Sequence, residues 1–114
     1  MVESILTSIK LMLGMTEDYT PYDQQVLMCI NTAMNALTQV GIGPVDGFTI
    51  RDASTTWEEW IGTDPRMEAA KSALFIRVKM LFDPPANGVM EEAYKEQLAE
   101  IECRLKSTID HPEV

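Results

Sequence analysis

The chain has 114 residues, of which 46% are hydrophobic and 24% are charged, a composition typical of one globular domain and not of a disordered chain. Eighteen acidic residues against nine basic ones give a net charge of −9, which disfavours binding to DNA phosphates or to an anionic membrane. No apolar run is long enough to cross a bilayer, and the N-terminus lacks the pattern of a secretory signal, so we expect a cytoplasmic protein.

The first helix is expected over about 2–13, where apolar residues recur at helical spacing and Gly14 provides a stop. Its apolar stripe consists of Ile5, Ile9, Met12 and Leu13. Thr20 and Pro21 then form an N-cap and first-turn pair that opens a second helix, with Asp23 as a weak capping partner. This helix should run to about Val40 and end at Gly41.

Residues 41–54 form the irregular part of the chain, because three glycines and a proline exclude a regular helix there. Residues 48–50 have the composition of a short extended piece. A loop of this length inside a small domain is often functional or disordered.

A short helix is predicted next, because Thr55 and Thr56 are each followed by a glutamate at capping-box spacing. Trp57 and Trp60 lie three residues apart on it and therefore share a face. Two interpretations are open: the indole rings cover the core beneath the loop, or they anchor a contact between subunits.

The fourth helix opens at Asp64 and Pro65 and reaches Phe82, where an Asp-Pro-Pro sequence stops it. Apolar residues occupy nearly its whole circumference, which is typical of a helix at the centre of a bundle or one covered by another subunit. We therefore expect Phe75 and Arg77 of this helix to lie at a subunit or partner contact.

The fifth helix is expected over about 89–106, with an apolar stripe on one face and i,i+4 ion pairs on the other. The stripe consists of Met90, Tyr94, Leu98, Ile101 and Leu105, and the pairs are Glu91–Lys95, Glu100–Arg104 and Glu102–Lys106. The chain thus divides into one all-α domain of four to five helices at 1–106 and a C-terminal arm at 107–114. The arm is either disordered or docks on a partner through Ile109, His111, Pro112 and Val114.

The sequence shows no catalytic, metal-binding or cofactor-binding constellation, so we expect neither an enzyme nor a cofactor. Two cysteines are too few for a zinc site, and the single histidine lies in the arm, where its geometry would not be held. Cys29 falls among the buried positions of the second helix, whereas Cys103 lies opposite the apolar stripe of the fifth.

The order of these segments resembles the head–tail connector (adaptor) proteins of tailed bacteriophages. The resemblance covers about residues 2–106 and is carried by IKLMLG, TPYDQQVLMCINTAMNAL, TTWEEWI and, most specifically, VKMLFDPP followed by EQLAEIECRL. It implies a small helical bundle that forms a ring, usually of about twelve subunits, beneath the portal. It further implies a virion protein without catalysis or cofactor, assembled in the host cytoplasm, whose partners are itself, the portal, the next neck or tail protein, and DNA only as passing cargo. In the family the C-terminal region commonly reaches the portal.

Two alternatives belong to other classes. One is a small acidic regulatory module, such as an inhibitor of a DNA-binding protein, and the other is a subunit of a helical enzyme complex whose active residues lie elsewhere. A connector should form rings on a portal, whereas an inhibitor should bind one basic partner as a monomer or dimer.

Overall fold

The computed structural model describes residues 4–110. These residues form five α-helices and a single 3-10 turn, Pro65–Met67. The helices are α1 (Ile5–Met12), α2 (Asp23–Gln39), α3 (Trp57–Ile61), α4 (Ala69–Phe82) and α5 (Gly88–Asp110). No strand is formed between residues 4 and 110, where an isolated β-bridge joins Ser4 to Thr56. The expected all-α fold is confirmed.

The centre of the bundle is α4, which packs against α2 and α5. Small side chains at Ala70 and Ala73 let the neighbouring backbones approach closely, and Leu74, Ile76 and Val78 are buried beside them. The apolar circumference of α4 is therefore explained largely by its central position within one chain.

A buried lysine ties α1 to α2. The side chain of Lys10 is 3% exposed, its ammonium group lies 2.8 Å from Asp23 Oδ1, and it donates a hydrogen bond of 3.0 Å to the Glu17 carbonyl oxygen. The expected stripe of α1 is correct at Ile5 and Ile9 but wrong at Met12, which is exposed. Lys10 is buried instead, because a carboxylate and a carbonyl oxygen satisfy its charge there.

The start of α2 differs from the sequence prediction. The helix begins at Asp23, and its N-cap residue Tyr22 makes no side-chain capping bond. Thr20 accepts a turn hydrogen bond from the Asp23 N–H through its carbonyl oxygen (3.1 Å). The expected Thr20 cap is absent, since the helix starts later and the Asp23 carboxylate pairs with Lys10.

The end of α5 lies four residues beyond the predicted end at Lys106, so residues 107–110 are helical and the predicted boundary of this helix is wrong. No glycine or proline interrupts this stretch. Leu105 is fully packed, and the Thr108 hydroxyl donates a hydrogen bond to the Arg104 carbonyl oxygen. Residues 111–114 lie outside the described part of the chain.

The long loop after α2 is held against the bundle by one side-chain amide. Asn31 Nδ2 donates to the Ile50 carbonyl oxygen (3.0 Å), and Asn31 Oδ1 accepts from the Ile50 N–H (2.8 Å). The side chains of Ile42 and Ile50 are buried in the core. Residues 48–50 are not part of a strand; the Ile50 backbone pairs with the Asn31 side chain instead of with a neighbouring strand.

Candidate interaction surfaces

Trp57 and Trp60 lie in the core, each 3% exposed, with ring centroids 6.0 Å apart. The predicted capping box of α3 is confirmed at Thr56 and Glu59. Trp57 Nε1 donates a hydrogen bond of 3.0 Å to the Ser8 hydroxyl on α1. This burial agrees with the first interpretation of the pair, which is to cover the core, and leaves little of either indole ring for a subunit contact.

The loop passes so close to Trp60 that only glycine fits at residue 43. A Cβ atom there would lie 2.6 Å from Trp60 Nε1, and Gly43 has a φ of +92°. The Trp60 Nε1 group is buried without an acceptor among residues 4–110. Gly43 therefore contacts the Trp60 indole ring by van der Waals packing and not through a hydrogen bond. This packing positions the start of the loop against α3.

Phe75 and Arg77 are both half-buried on α4. Arg77 makes a two-pronged ion pair with Glu102 of α5, at 2.7 and 3.1 Å. The predicted i,i+4 pairs Glu91–Lys95 and Glu100–Arg104 are present, whereas Glu102 pairs with Arg77 in place of the expected Lys106. Arg77 thus joins two helices of one chain, and Phe75 packs against the core cluster.

The remaining predicted contact residues lie at the C-terminal end. Ile109 is exposed on the last turn of α5. His111, Pro112 and Val114 lie outside the described residues. The described residues among these predicted contacts lie in different settings: Trp57 and Trp60 are buried on α3, Arg77 pairs with Glu102 of α5, Phe75 packs against the core cluster, and Ile109 is exposed on the last turn of α5.

A different surface carries most of the exposed apolar side chains. Eight of the ten large hydrophobic residues exposed in the described chain occur where α1 ends, α2 begins, α4 ends and α5 begins. We call this surface, together with the adjoining half-buried Phe82, the apolar end; it comprises Leu11, Met12, Tyr19, Tyr22, Met28, Leu81, Phe82, Val89 and Met90. The other two exposed residues, Val45 and Ile109, lie elsewhere.

A groove of about 600 Å³ opens on the apolar end between α2 and α4. It is lined by Tyr22, Gln25, Met28, Cys29, Leu81, Phe82 and Asp83. Met28 is 70% exposed and Leu81 51% exposed. The rings of Tyr19, Tyr22 and Phe82 contact one another in series, with centroid distances of 5.9 Å in both steps. These aromatic contacts join the beginning of α2 to the end of α4 and give the groove a fixed wall.

Two ionisable groups near these surfaces have altered acidity. Burial raises the pKa of the Cys29 thiol, which keeps it protonated on the groove wall. In the loop, hydrogen bonds from the Ser54 hydroxyl and then its N–H lower the pKa of Asp52. Cys103 is exposed, as expected.

The sequence analysis missed the apolar end. The signal was present in Met28 and Leu81, since Met28 falls off the buried stripe of α2 and Leu81 belongs to a helix with apolar residues on every side. Which of those positions becomes exposed depends on how the helix ends meet, which periodicity does not contain.

Within residues 4–110, no helix combines the length and apolar character needed to span a membrane. In that range, no three His, Cys, Asp or Glu side chains come close enough together to hold a metal ion.

The chain matches a known family. The family model described as "Phage connector protein" matches residues 5–112, which include all five helices. The resemblance to phage head–tail connectors inferred from the sequence is confirmed. No curated protein and no solved structure is significantly similar to the chain.

Proposed function

Because the chain belongs to the phage connector protein family, we propose that it assembles into a homo-oligomeric ring of about twelve copies beneath the portal. Membership of the family gives the general role: the chain is a structural head–tail connector of the virion neck. In the proposed assembly, formed in the host cytoplasm, the ring extends the DNA channel and joins the head to the next neck or tail protein.

The observation that carries this proposal is the extent of the family match. It begins at the first residue of α1 and ends beyond α5, so it covers the complete bundle and not one shared helix. A ring also requires two different contact faces on every subunit, since head-to-tail interfaces are not self-complementary. The described surface leaves apolar side chains in separate places, which is compatible with several distinct contacts.

We assign the portal contact to the C-terminal end of the chain. Ile109 is exposed on the last turn of α5, and the residues that follow it include His111, Pro112 and Val114. Phe75 and Arg77, both half-buried on α4, remain proposed subunit contacts, with Arg77 also bound to Glu102. Trp57 and Trp60 act indirectly in this proposal: Trp60 packs against the loop at Gly43, and both rings stabilise the bundle that presents the contacts.

The net charge of −9 supports a passive role toward DNA. Repeated in about twelve copies, it makes a strongly acidic assembly that repels passing phosphates. We propose that carboxylates line the channel. A map of an assembled ring checks this directly, and a channel wall dominated by lysine and arginine would contradict it.

The oligomeric state tests the ring proposal. Purified portal is mixed with the chain, and the mass of the complex is measured by analytical ultracentrifugation. We expect each portal to bind about twelve copies of the chain, with no complexes of intermediate mass. Binding of a single copy, or a 1:1 complex with a basic protein and no association with the portal, would favour the regulatory module instead.

Two truncations locate the portal contact. Removing 111–114 leaves α5 complete, whereas removing 107–114 also takes its last turn with Ile109. Both should retain the helical circular dichroism signal, because Leu105, the last buried residue of the core, is kept. We expect both to weaken portal binding, the longer deletion more. Unchanged binding of the longer deletion would reject the portal assignment. Val45→Ser, on the loop, serves as the control.

A further inference from the structure

The apolar end brings four chain segments together at one end of the bundle. The contact between Tyr22 and Phe82 shows that α2 begins where α4 ends, so these two helices run antiparallel. Lys10, in the last two turns of α1, is bound to Asp23 at the start of α2. α5 begins at Gly88, only five residues after Asp83. Exposed apolar side chains from all four segments therefore share this end.

This surface leaves large apolar side chains of four chain segments exposed. Met28, Leu81 and Val89 are 70%, 51% and 82% exposed. Soluble monomers rarely expose a contiguous apolar patch of more than a few hundred Å² unless it is functional. The groove volume lies within the range that accepts a few anchoring side chains. The exposed apolar side chains and the groove together fit a contact with another protein that inserts apolar side chains into the groove.

The charges around the apolar end indicate what kind of protein fits. Every lysine there is bound to a neighbouring carboxylate: Lys10 to Asp23, Lys79 to Asp83 and Lys95 to Glu91. Among the described residues, the exposed carboxylates of Glu17, Asp18 and Glu92 have no ion-pair partner. The rim of the apolar surface is thus negative.

A second copy of the chain is a poor match for this rim. The loop at the other end of α2 presents the exposed Val45 and Arg51, but the charged residues close to them in sequence are mostly acidic: Asp46, Asp52 and the glutamates of α3. Most basic residues of the second half are already paired, as Arg66 is with Asp64 and Arg104 with Glu100. Like charges placed across an interface oppose association.

We infer that the apolar end docks a different protein, whose contact surface inserts apolar side chains into the α2–α4 groove and carries lysines or arginines around them. This inference rests on the proposed function for its place in the virion. The two ends of α5 are about 34 Å apart, given 1.5 Å per residue. With the C-terminal end of α5 on the portal, the apolar end faces away from it and receives the next neck or tail protein.

The first test uses phage heads from a strain that lacks this gene and is complemented with variants. Met28→Ser with Leu81→Ser removes exposed apolar surface from both walls of the groove, and Val45→Ser is the matched control outside the apolar end. Glu17→Lys with Asp18→Lys reverses the rim charge. Negative-stain electron microscopy then counts heads with a ring and heads with a tail.

We expect the groove variant to reduce tailed particles about tenfold or more while rings remain on the heads. The rim variant should reduce them less, and Val45→Ser should not reduce them. Normal tailing in the groove variant would overturn the inference, and so would loss of the rings, which would assign the surface to another copy or to the portal. Absence of rings in the wild type would contradict the proposed function itself.

A second test does not depend on the ring. Two labelled peptides share a core of leucine and methionine, one flanked by lysines and the other by glutamates, and their binding to the purified chain is followed by fluorescence anisotropy. The lysine-flanked peptide should bind more tightly, lose about tenfold in affinity with the groove variant, and weaken as salt is added. Equal binding of both peptides, or no loss in the variant, would overturn the inference.

Discussion

The two ends of α2 differ in how far the neighbouring segments bury their apolar side chains. At its C-terminal end the segment 41–62, which consists mostly of loop and contains the short α3, is tied to the bundle by Asn31, by the packing of Gly43 on Trp60 and by the buried Ile42 and Ile50. At its N-terminal end regular helices meet, yet their apolar side chains remain exposed. In this molecule, therefore, the region with more regular secondary structure is the one that buries its apolar side chains less completely.

The comparison separates stability from assembly. Groups in segment 41–62 have their partners within the chain, so changing them should alter the free energy of unfolding. In the apolar end, Met28 and Leu81 are mostly exposed, so changing them should leave folding nearly unaltered and affect binding. The predictions below run from the largest expected loss of stability to the smallest.

Trp57→Ala together with Trp60→Ala should unfold the chain. Each buried tryptophan replaced by alanine costs about 3–5 kcal/mol, and the sum reaches much of the stability of a domain of this size, about 5–15 kcal/mol. Far-UV circular dichroism at 25 °C should show the helical signal largely lost. A full helical signal with an unchanged melting temperature would mean that the two indole side chains are not part of the core.

Gly43→Ala should destabilise the chain more than Gly41→Ala. Both glycines have positive φ, so both replacements carry a backbone penalty of about 1–2 kcal/mol. Only at residue 43 does the added Cβ meet a side chain, at 2.6 Å from Trp60 Nε1. Overpacking should add about 1–3 kcal/mol there. Urea unfolding measures both variants, and equal values would show that the loop does not press on Trp60.

Asn31→Ala should cost about 1–3 kcal/mol, because it leaves the Ile50 N–H and carbonyl oxygen without their partner. Asn35→Ala, at an exposed position on the same helix, should cost much less and serves as the control. Thermal unfolding followed by circular dichroism compares the two. Equal melting temperatures would mean that the amide does not hold the loop.

Met28→Ser with Leu81→Ser should change the free energy of unfolding least, within about 0.5 kcal/mol per site. Both side chains are more than half exposed and have little core contact to lose. The same urea titration measures the effect. A loss as large as that of Asn31→Ala would show that these residues stabilise the single chain and would weaken the distinction between the two ends.

Local signals accounted for most of the fold. Gly14 and Gly41 follow the ends of their helices with positive φ, and Thr56 with Glu59 forms the predicted capping box. What could not be predicted depends on residues distant in sequence. Lys10 is buried because Asp23 and the Glu17 carbonyl oxygen reach it, and Glu102 turns from Lys106 to Arg77 because α4 and α5 pack there.

The candidate surfaces were harder to predict for the same reason. A tryptophan pair at helical spacing is equally suited to a core and to a subunit contact, and only the fold places Trp57 beside Ser8. The apolar stripe of α5 was correct at Leu98 and Leu105 but not at Met90, which is exposed at the start of the helix. Side chains near helix ends depend on what the neighbouring ends cover.

Cryo-electron microscopy of the chain bound to its portal tests the central claim most directly. The account predicts a closed ring coaxial with the portal channel, with residue 109 toward the portal and Met28 and Leu81 on the opposite, uncovered side. A ring with Met28 and Leu81 buried between copies or against the portal, or a chain bound off the channel axis without closing a ring, would contradict it.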